Sequence, residues 1–337
     1  MPPSQIVLRE PRLVEVESSP RLRGESGEVL VRLRLAGVCG TDLAAYRGVS
    51  PLVTYPRIPG HELLVDILES PDHPELEGGR AVIEPLFNCG VCFACRAGRY
   101  NACSTLKLFG VHIDGGLRNQ AWIRADRVHP VPRELPDEVA VLAEPTAVAY
   151  RAVQRADVET GSFAVVFGAG PIGLLITQML IRAHGCRVLV VDRDEWRLGV
   201  AGELGALTRP SGPDLADWLS GETSGVMAPR VFEATGNADC TLETAQVVGV
   251  GGRIVLVGWN QKPPVFDTIT FMRKEAELHA SRNSVGAFPA VLRMLQEGMI
   301  AADRMITHRF AFADAPAAFR LLDSGAHAMK VLIAADA

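Results

Sequence analysis

Residues 162–192 read SFAVVFGAGPIGLLITQMLIRAHGCRVLVVD, and the fold turns on this stretch. An apolar run from Phe163, a glycine turn, a long apolar segment and a second apolar run ending at Asp192 make the strand, helix and strand alternation of a parallel sheet. The glycines fall as Gly168-Ala169-Gly170-Pro171-Ile172-Gly173, a G-x-G-x-x-G pattern that is weak alone. Here it follows a strand and opens a helix, and Asp192 lies 19 residues beyond Gly173, at the end of the next strand. The first glycine permits a tight turn and the second lets a pyrophosphate approach the backbone. The helix start offers unpaired N–H donors and the positive end of its dipole. Asp192 would accept from the ribose hydroxyls of adenosine and repel a 2′-phosphate, which favours NAD over NADP. Arg193 beside it offers a phosphate partner and works against that preference. A flavodoxin-like turn without a dinucleotide is the alternative reading.

Outward from this unit the texture changes. Upstream, residues 28–35, EVLVRLRL, alternate apolar and charged side chains as a half-buried strand does, and frequent glycine and proline up to about Pro136 suggest an irregular β-rich region. Downstream, PRVFEATG and GGRIVLVGW read as further buried strands, AFPAVLRMLQEGMI as an amphipathic helix, and MKVLIAA as a closing strand. The 337 residues, 48% of them hydrophobic, suffice for two domains with real cores. Glycine and proline interrupt every long apolar run, so no membrane segment is expected. Net charge is −5 and the arginines are scattered, which argues against a nucleic-acid surface and leaves a small molecule as the partner. The opening MPPSQIVLREPRLVEV lacks the pattern of a secretory signal, so a cytoplasmic location is expected.

Four of the seven cysteines, Cys89, Cys92, Cys95 and Cys103, are spaced C-x2-C-x2-C-x7-C. A disulfide knot, a redox pair and a metal site compete here, and a reducing compartment disfavours the knot. One loop with this spacing can fold four thiolates into a tetrahedron about zinc, a closed site that stabilises a lobe and catalyses nothing. An iron–sulfur cluster or a redox thiol set remains the alternative. Further upstream stand Cys39 in GVCGTD, then His61 and Glu62 in PGHE, with Glu144 in LAEPTAVAY downstream. Singly each is more often a packed or surface residue than a ligand. Together they offer one sulfur, one nitrogen and carboxylate oxygens, a mixed set suited to a catalytic zinc that keeps a position open.

GVCGTD, GHE, the four-cysteine loop, AEP and GAGPIG occur in the order found in the zinc-dependent medium-chain dehydrogenases, the alcohol, sorbitol and threonine dehydrogenase superfamily, and the chain resembles that family over essentially its whole length. The resemblance implies an α/β protein with a β-rich GroES-like catalytic domain over 1–146 and 283–337 and a Rossmann NAD-binding domain over 147–282. It implies two zinc ions per chain. Cys39 and His61 match ligands of the catalytic ion. Glu62 matches a glutamate that ligates the metal or sits just behind it, and Glu144 stands where sorbitol-type enzymes carry a glutamate. The four cysteines match the structural site. Thr41 matches the hydroxyl that bonds the substrate alcohol, so Thr41, Glu62 and Glu144 are the expected catalytic residues. Many relatives carry a histidine three residues after that hydroxyl for proton exit, whereas this chain has Ala44, and a water route near Glu144 or Glu62 is expected instead.

TFMRKEAELHASRNS and MITHRFAF further resemble bacterial sugar-acid and polyol dehydrogenases. Oxidation of a secondary alcohol of a polyol or sugar acid is the implied activity, with a threonine or simple-alcohol dehydrogenase as the rival and a non-catalytic homologue as a rival of another class. Tyr46, Arg282 and Asn283 are candidate substrate contacts; an interdomain turn is the other reading of Arg282 and Asn283. A homodimer or homotetramer is expected.

Overall fold

The computed structural model describes residues 4–20, 23–260 and 262–335. The chain divides into two compact units, Met1–Glu144 with Phe288–Ala337, and Pro145–Ala287. The divisions fall at 144/145 and 287/288, against 146 and 283 expected from the sequence.

In the second unit the apolar runs become six parallel strands ordered Leu207–Pro210, Arg187–Asp192, Phe163–Phe167, Ala228–Glu233, Val248–Leu256 and Glu277–Ala280. Numbered along the chain this is 3-2-1-4-5-6, the doubly wound order whose reversal lies beside the first strand. Val165 pairs in register with Leu189 on one side and Val231 on the other. Such strands lie covered on both faces, so they are continuously apolar and do not alternate. Val165, Val166, Phe167, Leu189, Val190 and Val231 are all fully buried.

The glycine turn shows why each glycine is there. Gly168 has φ +101°, a region that residues with a Cβ avoid. A Cβ on Gly170 would meet nothing nearer than Arg197 Nη1 at 3.7 Å, so the backbone is open to a ligand. A Cβ on Gly173 would collide with the Gly168 carbonyl oxygen, so only glycine lets the helix Pro171–His184 begin this close to the strand.

The first unit is a largely antiparallel sheet ordered Ile306–Ala311, Lys330–Ala334, Glu28–Val38, Glu62–Glu69, Arg80–Ile83 and Val128–Val131, with Gln120–Arg124 also pairing along Glu28–Val38. Its eleven-residue strand Glu28–Val38 alternates sides in its first half and is buried from Leu35 onward. There the closing strand flanks it on one edge and Glu62–Glu69 on the other: Leu332 and Glu62 both lie opposite Gly37. A segment that begins 268 residues further along the chain is thus brought beside the start of the Glu62 strand.

Replacing Gly173 with alanine is expected to destabilise the second unit by about 1–3 kcal/mol, because the obstacle is backbone and cannot rotate away. Thermal unfolding followed by far-UV circular dichroism measures this, and a wild-type melting curve would contradict it.

Candidate active site

Cys39 is the N-cap of the short helix Gly40–Tyr46. Asp42, three residues on and 2% exposed, accepts from the Cys39 backbone N–H through Oδ2 at 2.9 Å and from the Gly60 N–H through Oδ1 at 3.2 Å. One buried carboxylate therefore ties the loop bearing Cys39 to the loop bearing His61. His61 is itself buried, and its Nδ1 lies 3.6 Å from Asp42 Oδ1 with no hydrogen-bond partner. Burial opposes the imidazolium, but Asp42, the Cys39 sulfur and Glu144 together outweigh it, and the His61 pKa sits well above its ordinary value. Glu144, buried in the first turn of the helix Ala143–Ala156, is pushed up to about 7 by desolvation; His61 pulls it down and Glu62 pushes it up.

Glu62 is held differently. Both of its oxygens accept from Lys330 Nζ at 2.7 Å, and both side chains are essentially fully buried. The route runs across the strand between them: a Cβ on residue 37 would strike Glu62 Oε2, so Gly37 is what lets the carboxylate pass over to the closing strand. Burial favours loss of the Lys330 proton, but Glu62, Cys39 and Glu144 outweigh it and raise its pKa.

Cys39, His61, Glu62 and Glu144 thus share one electrostatic pocket, joined by Asp42 and Lys330. Sequence reasoning did not single out Asp42 or Lys330. Asp42 had a local signal, an acid at the third helix position after Cys39. Lys330 had none, because its partner is a long-range strand neighbour.

Thr41 Oγ1 lies 3.8 Å from Cys39 Sγ. Tyr46 is not placed for a substrate role. It is 5% exposed and its ring packs on Phe319 at 5.5 Å between centroids, so this candidate belongs to the core. Arg282 and Asn283 belong to the other unit, just past the outermost strand Glu277–Ala280, and Asn283 has φ +46°, a turn conformation asparagine tolerates.

The ligand sulfurs of Cys89, Cys92, Cys95 and Cys103 all lie within 4.8 Å of one another. The nearest pairs, Cys92 with Cys95 and Cys103 with Cys89, are 3.5 Å apart, far beyond a disulfide bond, and all four cysteines are free. The Cys92 N–H points at Cys89 Sγ, the Cys89 N–H at Cys103 Sγ and the Asn88 amide at Cys95 Sγ, each at 3.4 Å. Backbone N–H groups of Cys95 and Ser104 bring Cys92 down to about 5, and those of Cys89 and Thr105 lower Cys103. Four sulfurs so gathered and supplied with donors fit a thiolate metal site. The apolar base beneath is slight: Leu86, Cys103 and Leu106 are its buried members.

At the dinucleotide turn Asp192 accepts from the Ala169 N–H at 2.6 Å and the Asp194 N–H at 3.0 Å, one donor on each oxygen, so each keeps a lone pair for a ribose hydroxyl. The helix Pro171–His184 has no side-chain cap on its N-terminus, which leaves Ile172 and Gly173 N–H groups near the turn for a phosphate. Arg193 is exposed. Arg197, on the following helix Glu195–Glu203, was not foreseen; it is the side chain nearest the open face of Gly170.

Family models for an alcohol dehydrogenase GroES-like domain and for a zinc-binding dehydrogenase match residues 25–133 and 171–297. The chain belongs to the zinc-dependent medium-chain dehydrogenases. An uncharacterized zinc-type alcohol dehydrogenase-like protein of Haemophilus influenzae is 37% identical over 92% of each chain. The L-galactonate-5-dehydrogenase of Escherichia coli K12 is 35% identical over 85% of each. A crystal structure from E. coli CFT073, described as a short chain alcohol dehydrogenase (rspB) complexed with NADH, superposes with a TM-score of 0.92 at 30% identity, covering 98% of this chain and 99% of its own. The α/β architecture expected from the motifs, GroES-like plus Rossmann, is the one found. This dehydrogenase is an enzyme of the zinc and NAD(H) type, and among the described residues the four cysteines form the gathered donor set. Among the described residues no helix is long and apolar enough to cross a membrane.

Replacing Lys330 with methionine should cost about 3–5 kcal/mol, since it strands the Glu62 charge in the core. The double replacement Glu62→Leu with Lys330→Met should recover much of that loss. Urea denaturation midpoints test the pair, and equal losses in single and double variants would show that the ion pair is not the cause.

Proposed function

We propose that this dehydrogenase oxidises a secondary alcohol of a polyol or sugar acid to a ketone, with hydride transfer to NAD. The observation that carries the reading is the division of labour between two buried glutamates. Lys330 occupies both oxygens of Glu62, whereas Glu144 makes no ion pair among the described residues and feels His61 and Lys330 only through their fields. The catalytic ion would then be held by Cys39, His61 and Glu144, with Glu62 behind them and one position open. Zinc bound there supplies Lewis acidity that makes the substrate hydroxyl easier to deprotonate. Thr41, beside Cys39, is the hydroxyl in place to take the substrate proton in a hydrogen bond. Asp42 fixes the spacing of Cys39 and His61 through their backbone neighbours. Proton exit does not use a side chain at Ala44 and would run through water near Glu144 or Glu62. Hydride chemistry itself belongs to the nicotinamide.

For the substrate, the similarity to an L-galactonate-5-dehydrogenase points to a polyhydroxylated molecule with vicinal hydroxyls. A substrate lacking a partnered hydroxyl leaves a buried polar group unpaired, at roughly 1–3 kcal/mol. Asp192 supports NAD over NADP. A second zinc held by Cys89, Cys92, Cys95 and Cys103 makes two per chain. A homo-oligomer is part of the reading: the outermost strand Glu277–Ala280 leaves a sheet edge open, and the nearby helix Thr268–Lys274 buries none of its residues while exposing Ile269 and Met272. So is a cytoplasmic location, where thiolates stay reduced.

A panel of hexonates, hexitols, cyclitols, threonine and primary alcohols, run with NAD and with NADP and followed by reduced-nicotinamide absorbance, tests the activity. Hexonates or hexitols should show the highest kcat/KM, and Glu144→Gln should depress it far more than Arg282→Ala. A best substrate of ethanol or butanol would overturn the polyol reading, and threonine would replace it.

Elemental analysis of freshly purified protein should give two zinc ions per chain, and mild chelation should remove the ion with the open position first. Cys103→Ser should impair folding of the lobe, whose small apolar base cannot replace the metal. One ion or none in fully metallated protein would refute the two-site assignment.

A further inference from the structure

In the Rossmann unit Glu233, the last residue of the strand Ala228–Glu233, is completely buried. A carboxylate in such a place has to be fully hydrogen-bonded or neutral. Its Oε1 accepts from the Thr235 N–H at 2.8 Å, the Gly236 N–H at 3.0 Å and the Thr235 hydroxyl. Thr235 Oγ1 accepts in turn from the Asn237 N–H at 3.0 Å, and Asn237 caps the helix Ala238–Val247. The carboxylate thus organises the whole turn from strand to helix.

The backbone of the same residue meets the next strand, and its side chain the loop beyond. The Glu233 carbonyl accepts from the N–H groups of Val257 and Gly258, each at 2.9 Å. A Cβ on Gly258 would come within 2.7 Å of Glu233 Oε2, so the loop after Val248–Leu256 rests directly on the carboxylate. On the opposite flank, Ala234 N–H bonds the Phe167 carbonyl, and a Cβ on Gly168 would lie 3.1 Å from Thr235 Cγ2. The Glu233 side chain thus holds the turn after its own strand and lies against the loop after the next one, while Ala234 and Thr235 of that turn carry the contact to the third. Burial raises the Glu233 pKa and its hydrogen-bond donors oppose that rise.

These three loops border the point where strand order reverses, the crevice in which doubly wound folds bind dinucleotides. Asp192 stands at the end of the strand on one side of Phe167, which assigns that side to adenosine, and the glycine turn takes the pyrophosphate. The remaining half of the cofactor falls over the Ala234–Asn237 and Val257–Trp259 loops, on the side Glu233 organises. We propose that Glu233 is a positioning residue for the nicotinamide half of the cofactor, acting through the two loops it holds rather than by touching the ligand.

This rests on NAD being the cofactor, and the test separates the two ideas. Isothermal titration of the purified protein with NADH and with ADP, which lacks the nicotinamide half, reads each side of the crevice. Glu233→Ala should weaken NADH by about tenfold, from the loss of several hydrogen bonds at the turn, while ADP stays within about twofold. Glu233→Gln, which retains one acceptor oxygen, should fall between wild type and Glu233→Ala, and it carries the test alone if the alanine variant does not fold. Unchanged NADH affinity in these variants, or parallel losses for NADH and ADP, would overturn the assignment. A wild type that binds ADP but not NADH would instead overturn the choice of NAD.

Discussion

The catalytic unit is organised around the cost of burying charge. Asp42, Glu62 and Glu144 are carboxyl groups withdrawn from water beside the Cys39 sulfur, and an ionised carboxylate in such surroundings has to find a donor or a cation. Each does so differently. Asp42 takes two backbone N–H groups and faces His61. Glu62 takes the buried ammonium of Lys330. Glu144 has only the field of its neighbours and is raised to about 7 in consequence. Glu144, the least compensated of the three, is the one with most to gain from an added cation.

The same constraint recurs in the Rossmann unit, with a different solution. Glu233 is as deeply buried as Glu62 but is hydrogen-bonded by backbone and hydroxyl donors rather than paired with a lysine. An ammonium partner, as at Glu62, fixes two strands against each other. Hydrogen bonds from consecutive N–H groups instead fix the shape of a turn, and turns are where a doubly wound sheet meets its ligand. The cysteine loop is a third case: its thiolates are met by N–H donors from within the loop, but its apolar base is too small to hold them together by packing.

What could be read directly from the sequence was whatever depends on neighbours along the chain. The glycine fingerprint is local, since the turn, the open face of Gly170 and the close packing of Gly173 all lie within six residues. The four cysteines fall in one loop, so their spacing alone brings the sulfurs into range. The continuous apolar strands announced a parallel sheet because covered strands need no alternation. Cys39 and His61 were legible as members of motifs, and Asp42 could have been, from its place in the first turn after Cys39.

Only the tertiary structure decided the rest. Tyr46 was a candidate substrate contact, but the helix Gly40–Tyr46 turns it toward Phe319, and a residue's side of a short helix is set by what it packs against. The roles of Glu62 and Glu144 could not be separated along the chain, because the difference between them is Lys330, which reaches Glu62 only once the closing strand pairs with Glu28–Val38 and Gly37 leaves room for the carboxylate to cross. Strand pairing joins residues without regard to their separation in sequence, so sequence alone named candidate groups for metal and cofactor, while the sheet determined which of their charges were already balanced.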